Sequence, residues 1–169
     1  MDERIDLSFR YAKSDIVRAI RSHNASQMRP RLDIVLTAIL AVAGAYFWNS
    51  SGWHWFGIFC AATSTAFFLI LIAAFAIIPP LAFRLNPKYR EDYSLTFSPE
   101  GIHFRTVHVD SQLQWNLYSR ALIDGYSYLL YYGTRTFSVI PKRVFQGLEQ
   151  QNAFELMIGQ HVPKIITKT

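Results

Sequence analysis

Two histidines and one aspartate are the residues best suited to acid–base chemistry. His103 and His108 lie in or beside an alternating segment from Ile102 to Val109, and Asp110 follows two positions after His108. Side chains two apart on a strand share a face, so His108 and Asp110 could form a His–Asp pair. A hydrolase would also need a positioned nucleophile, and the sequence has neither a nucleophile elbow nor a histidine-rich metal motif. We therefore expect ordinary strand residues here, with no enzyme, no metal and no cofactor.

Lys142 and Arg143 are the leading candidates for a binding contact. They follow Pro141, which ends a run of extended segments and presents both cations in a turn. Two adjacent cations could bind phosphate headgroups or an acidic partner. The alternative, which we favour, is that Pro141 sets the turn, Phe145 packs in a core, and the cations are solvated or pair with Glu149.

Other basic residues flank a long uncharged stretch. The four nearest arginines before it are Arg18, Arg21, Arg29 and Arg31. Three further candidate headgroup or partner contacts follow it: Arg84, Lys88 and Arg90. The net charge is +5, but the basic residues are dispersed and form no stripe. We expect no nucleic-acid partner. These cations either bind lipid or only set the membrane topology.

The elements that must hold these residues include a membrane anchor. From Ile34 to Phe83 the chain has no Asp, Glu, Lys or Arg over 50 residues. A bilayer needs about 20 mostly apolar residues per helix. We predict a transmembrane hairpin at 32–83, with spans at about 32–49 and 53–78 around a polar turn, the second span stopped by Pro79-Pro80. Because the turn has no basic residue, the positive-inside rule places both termini in the cytoplasm.

Small residues recur every four positions on both predicted spans. They are Thr37, Ala41 and Ala45 on the first span, and Gly57, Ala61 and Thr65 on the second. Such rows let membrane helices approach closely. We favour packing of the hairpin on itself, with a dimer interface as the alternative. From Ile34 to Phe83 the chain has no carboxylate or lysine, the usual marker of an ion path within the membrane.

The flanking segments predict a small α+β domain. Residues 1–31 read as a strand with alternating apolar residues, then an amphipathic helix capped by Ser14. Residues 84–92 read as a juxtamembrane linker. Residues 93–160 contain short antiparallel strands, among them one at Leu113 and Trp115, and a final helix at 149–160. Trp115 is expected to anchor the core, and residues 161–169 to form a tail.

Several motifs in the C-terminal part resemble a known family. They are Phe97-Ser98-Pro99-Glu100-Gly101-Ile102, the lone Trp115, Leu129-Leu130-Tyr131-Tyr132, and Val139-Ile140-Pro141-Lys142-Arg143-Val144-Phe145. In this order they resemble the YcxB-like family of bacterial membrane proteins, from about Tyr93 to Ile158. The resemblance implies a pleckstrin-homology-like cytoplasmic domain, capped by a C-terminal helix, on a two-helix anchor in the inner membrane. It implies no activity.

Two functions follow as hypotheses. The first is a non-enzymatic inner-membrane protein that displays its small cytoplasmic domain to a protein partner or to a second copy. The second is a module that senses anionic lipid through its basic residues. A small transporter or an enzyme accessory subunit comes third. The expected partners are the lipid bilayer and a protein or homo-oligomer.

Overall fold

The computed structural model describes residues 4–50 and 52–168. The first three residues of the predicted N-terminal segment, Ser51 of the predicted turn and Thr169 of the predicted tail lie outside the described residues. The chain divides into two compact units. One unit is Ile20–Ala82, and the other combines the residues up to Ala19 with those from Phe83 onward.

The Ile20–Ala82 unit contains two long apolar helices. Helix α1 (Lys13–Gln27) leads into it, followed by α2 (Pro30–Trp48) and α3 (His54–Ile72). Helix α3 continues through a π-helical turn (Ala73–Ile77) into α4 (Ile78–Leu85). By length and composition, Pro30–Trp48 and His54–Leu85 could each cross a membrane. Most of their large apolar side chains are exposed.

The prediction that Pro79 and Pro80 stop the second helix is wrong. The helix continues to Leu85, seven residues beyond the predicted end at 78. Both prolines lie in the first turn of α4, directly after the π-helical turn, and neither can donate an N–H to the carbonyls before it. The π-helical turn just before them shifts the hydrogen-bond register, and the Ile78 N–H accordingly bonds to the Ala73 carbonyl. A register shift therefore accommodates the proline pair.

The other unit contains two four-stranded sheets. The first sheet is antiparallel in the order β1-β2-β3-β4 and consists of β1 (Ile5–Arg10), β2 (Asp92–Ser98), β3 (Gly101–Arg105) and β4 (Asp110–Leu113). Strand β1 alternates buried and exposed residues as predicted, and Leu7 lies opposite Leu95 of β2. The alternation in β1 does not indicate which strand pairs with it. Its partner β2 begins only after the long apolar helices.

The second sheet has the order β7-β6-β5-β8. It consists of β5 (Arg120–Ile123), β6 (Ser127–Tyr131), β7 (Phe137–Pro141) and β8 (Ile165–Thr167). Strands β5, β6 and β7 are antiparallel, whereas β8 is parallel to β5. The predicted tail at 161–169 thus contributes a strand. Helix α5 (Leu148–His161) precedes β8 and matches the predicted final helix.

Aromatic side chains fill the core of this unit. Phe97 and Phe154 meet edge to face with ring centroids 4.7 Å apart, and both are buried. Trp115 is 5% exposed and donates from Nε1 to the Ser98 carbonyl at 2.8 Å, so its predicted role as a core anchor is confirmed. It lies in a 3-10 turn (Trp115–Leu117) after β4, and not in a strand with Leu113. The unit is α+β.

Candidate functional site

Arg143 is bound by an aspartate at the start of α1. Its Nε lies 3.1 Å and its Nη2 2.6 Å from the Asp15 carboxylate, and Nη2 also donates to the Arg10 carbonyl at 2.9 Å. The Asp15 carboxylate also accepts the Ala12 N–H at 2.8 Å. Asp15 therefore caps the helix in place of the predicted Ser14, and its side chain is only 9% exposed. Arg143 lies in a structural ion pair.

Lys142 is also held by neighbours within the fold. Its Nζ lies 3.7 Å from the Glu155 carboxylate and 4.9 Å from the centre of the Tyr128 ring. The Tyr128 hydroxyl donates to Glu155 at 2.7 Å. Burial, followed by the bond to Glu155, raises the pKa of Tyr128. The partners of the two cations are thus Glu155 and Asp15, whereas the sequence analysis considered Glu149.

The three cations after the apolar helices are more open. Arg84, Lys88 and Arg90 are exposed, and none has a carboxylate within ion-pair distance among the described residues. Arg90 donates to the Arg84 carbonyl at 3.3 Å, and the Lys88 ammonium lies 5.2 Å from the Tyr89 ring. Of the five basic candidates, these three remain available to an anionic ligand.

The His–Asp pair considered from the sequence has the wrong histidine. Asp110 lies opposite Arg105 in the β3–β4 hairpin, so its carboxylate reaches the side chains of Arg105 and His103. His103 Nε2 lies 2.5 Å and Arg105 Nε 3.0 Å from the Asp110 oxygens. These bonds, with that to His103 first, lower the pKa of Asp110. His108 lies in the turn, where its backbone N–H bonds to Thr106. The described residues contain no cluster of three or more potential metal ligands.

The apolar helices pack through glycines. A Cβ on Gly44 would come within 3.0 Å of the Ala61 backbone, and one on Gly57 within 2.7 Å of the Trp48 backbone nitrogen. Across the same interface, Ser64 donates to the Thr37 carbonyl at 2.9 Å. Gly57 and Ala61, both members of the predicted four-residue row, therefore lie where the two helices approach most closely. Gly44 lies there too, although it does not belong to that row.

The remaining members of that row are exposed. Ala41, Ala45 and Thr65 have exposed side chains, and Ala41 and Thr65 line an apolar groove of about 870 Å³ between α2 and α3. The contacting face of α2 thus passes through Thr37 and Gly44, with a spacing of seven residues. Ala41 and Ala45 lie to one side of it.

A cavity between the two sheets was not identified from the sequence. It has a volume of about 140 Å³, and five tyrosines contribute to its wall: Tyr11, Tyr89, Tyr93, Tyr118 and Tyr132. Burial is the main cause that raises the pKa of Tyr11, Tyr89 and Tyr118, and it raises that of Tyr93 to about 12. These tyrosines come from three separate stretches of the chain, at 11, at 89–93 and at 118–132, so no local sequence pattern signals their convergence.

Comparison with known proteins identifies one part of the chain. Residues 97–158 match the family model described as YcxB-like protein. The match begins within β2 and ends within α5, and it confirms the resemblance seen in the sequence motifs. No curated protein and no solved structure matches the chain.

Proposed function

Because residues 97–158 are YcxB-like, we propose that the chain is a non-enzymatic protein of the bacterial inner membrane that presents a small cytoplasmic domain to a protein partner or to a second copy. In this proposal α2 and the α3–α4 helix cross the bilayer, and both termini are cytoplasmic. The domain around the YcxB-like segment makes the contact.

Exposed apolar surface supports the membrane part of the proposal. Large side chains such as Ile39, Val42 and Phe59 point away from the helix–helix contact and are more than half exposed. Water would oppose such exposure on two adjacent helices, whereas lipid tails would cover it. Trp48, Trp53 and Trp55 cluster at the turn, where aromatic residues favour a membrane interface.

The strand order supports a pleckstrin-homology-like domain. The antiparallel strands β1 to β7 and the following helix α5 form a small β-rich unit with a C-terminal helix, as expected from the resemblance, and β8 adds a strand parallel to β5. Strand β1 supplies the first of these strands. The two membrane helices would therefore be inserted between the first and second strands of the domain, which anchors it at two chain positions.

The observation that carries the partner-binding proposal is the outer face of α5. Leu148 and Leu156 are 75% and 69% exposed, two turns apart, while Phe154, Met157 and Ile158 point into the core. Large aliphatic side chains on the water side of a domain helix are candidates for a protein contact. Asn152 lies between the two leucines along the helix.

Site-specific photocrosslinking in cells tests this proposal. A photoreactive amino acid at Leu156 should give a discrete crosslinked band, and the same residue at exposed Arg135 serves as the matched control. Band size and mass spectrometry then separate a second copy from another protein. Equal, diffuse crosslinking at both positions would contradict the proposal. A phosphatase reporter at the C-terminus should be inactive, because that end is expected inside the cell.

Lipid sensing is the second candidate, and the exposed set Arg84, Lys88 and Arg90 favours it. A cation near an anionic membrane surface contributes about 1 kcal/mol. Full-length protein purified from mixed anionic and zwitterionic micelles should retain anionic lipid, and changing the three residues to Gln should reduce that retention severalfold. The matched control changes three exposed cations elsewhere to Gln: Lys13, Arg135 and Lys164. Equal retention by both triple variants would reject this candidate.

A further inference from the structure

The cavity between the two sheets has walls suited to a flat ligand. Strands β2 and β3 supply one side, including Tyr93 and Phe104, and the β6–β7 region supplies the other, including Tyr132 and Phe137. The Tyr11 and Tyr93 rings meet edge to face with centroids 4.8 Å apart. Rings in such arrangements offer faces and edges on which another aromatic ring can pack. The walls therefore favour an aromatic molecule.

Two of the tyrosine hydroxyls in the wall donate to backbone carbonyls of the protein. The Tyr11 hydroxyl donates to the Val139 carbonyl at 2.5 Å, and the Tyr93 hydroxyl donates to the Lys88 carbonyl at 2.8 Å. Because the protein satisfies these two hydroxyls, they do not require water inside the cavity, and an apolar ring can lie beside them. At about 140 Å³, the cavity is close to the roughly 150 Å³ that suffices for benzene in a dry protein cavity.

A cation stands at the rim of this cavity. Lys88 lines it, is exposed, and has no carboxylate partner among the described residues. Aromatic cages also bind quaternary ammonium groups, but a nearby ammonium repels a cationic ligand. An anionic substituent would instead gain a charge-assisted hydrogen bond from Lys88. The positive charge of Lys88 at the rim thus favours a ligand with a negative charge over one with a positive charge.

We propose that this cavity binds a monocyclic aromatic acid, with its ring between the sheets and its carboxylate at Lys88. The site combines residues of the matched segment 97–158 with residues that precede it, among them Tyr11 and Lys88. It is separate from the outer face of α5 and independent of the partner-binding proposal.

The test uses 4-fluorobenzoate as the probe and full-length protein in zwitterionic lipid nanodiscs. Fluorine NMR should show a saturable shift that empty nanodiscs do not produce. The variant Lys88→Gln should weaken 4-fluorobenzoate binding about tenfold, the effect of losing one charge-assisted hydrogen bond. The exposed Lys164→Gln variant is the matched control and should bind like the unchanged protein.

A neutral probe separates the ring from the charge. Binding of 4-fluorotoluene should be the same within about twofold in the unchanged protein and in Lys88→Gln, because this probe has no carboxylate to pair with Lys88. No saturable shift with 4-fluorobenzoate would overturn the proposal. So would equal weakening of 4-fluorobenzoate binding by Lys88→Gln and Lys164→Gln.

Discussion

Arg21 donates a hydrogen bond from Nε to the backbone carbonyl oxygen of Phe75 at 2.8 Å. In an α-helix that carbonyl would accept from residue 79, and in a π-helix from residue 80. Both residues are prolines, which have no N–H. The polar side chain of α1 therefore replaces a backbone donor that the sequence of the second apolar helix cannot provide.

Asn24 fills the same role one residue earlier. Its Nδ2 donates to the Ala74 carbonyl at 2.7 Å. The Ile78 N–H, which would serve Ala74 in an α-helix, bonds to Ala73 instead. Arg21 and Asn24, nearly one turn apart on α1, thus satisfy two consecutive carbonyls and hold α1 against the π-helical turn.

Replacing Arg21 should destabilise the helical unit. The variant Arg21→Met keeps the length of the side chain but leaves the Phe75 carbonyl without its donor, which should cost about 1 kcal/mol. Thermal unfolding in a mild detergent measures the loss. The control is Arg31→Met, which removes an exposed arginine with no such bond among the described contacts.

A double-mutant cycle with the proline pair isolates the cause. In the background Pro79→Ala/Pro80→Ala, backbone donors return and the penalty of Arg21→Met should shrink to a few tenths of a kcal/mol. An unchanged penalty in that background would show that Arg21 stabilises the protein for another reason.

Loss of the Asp15–Arg143 pair should destabilise the domain. The variant Arg143→Gln leaves the buried Asp15 carboxylate without its cation, and we expect a cost of about 1–2 kcal/mol, since Arg143 is half exposed. Chemical unfolding followed by tryptophan fluorescence measures it. Adding Asp15→Asn should cost less than the sum of the two single changes. Additive costs would mean that the pair contributes no coupling.

The contact of α2 and α3 should not tolerate a side chain at Gly57. The variant Gly57→Ala places a methyl group against the backbone of Trp48 and Phe47, so the helices must separate, at a cost of about 1–3 kcal/mol. Gly159→Ala is the matched control: nothing lies within 4 Å, and the change should stabilise α5 by about 0.5–1 kcal/mol. Unfolding in increasing dodecyl sulfate compares them. Equal behaviour of the two variants would contradict the close approach.

His103, and not His108, should control the titration of Asp110. The hydrogen bonds from His103 and Arg105 lower the pKa of Asp110 below its ordinary value of 3.8. Carbon NMR of labelled aspartate should show this midpoint rising in His103→Ala and staying in place in His108→Ala. Because the folded pKa is the lower one, the contribution to stability is present above pH 3.8 and is lost as the pH falls through the folded value. If the midpoint of Asp110 shifted only in His108→Ala, the result would support the His108–Asp110 pair that was considered from the sequence.

The domain should lose stability in alkali. Burial and the nearby charge of Glu91 raise the pKa of Tyr93 from 10.0 to about 12. A raised folded pKa means that the contribution is complete below pH 10 and is lost as the pH rises toward 12. The absorbance of tyrosinate, measured against pH, should show this late titration. The free energy of unfolding, measured over the same pH range, should fall with it. In Tyr93→Phe the absorbance change near pH 12 should lose the amplitude of one tyrosine, while the other tyrosines with raised pKa values still titrate late. An unchanged curve in that variant would show that Tyr93 does not titrate there.

The local elements of the domain follow from short-range patterns. The alternation of Ile5, Leu7 and Phe9 predicts β1, and Tyr93, Leu95 and Phe97 predict β2, because one face of each strand must be buried. The Ser98–Gly101 turn likewise predicts the β2–β3 hairpin. Pairing within such a hairpin is local, so the sequence is sufficient.

Contacts between distant segments are what the sequence could not predict. The backbone of β1 bonds to a strand that begins more than 80 positions later, and β8 is parallel to β5. The partners of Arg143 and Lys142 also come from α1 and α5. The periodicity of apolar residues predicts which side chains are buried, but it does not predict which distant segment packs against them.

The sequence alone indicates two long apolar helices beside a small α+β unit, because the absence of charge and the strand alternation are properties of neighbouring residues. Only the tertiary structure decided that the helix passes through Pro79-Pro80, that Arg21 bonds to Phe75, and that five tyrosines surround one cavity. Each of these features depends on groups that meet only after folding. A register shift in the helix and a long-range hydrogen bond then satisfy backbone carbonyls that have no donor within their own segment.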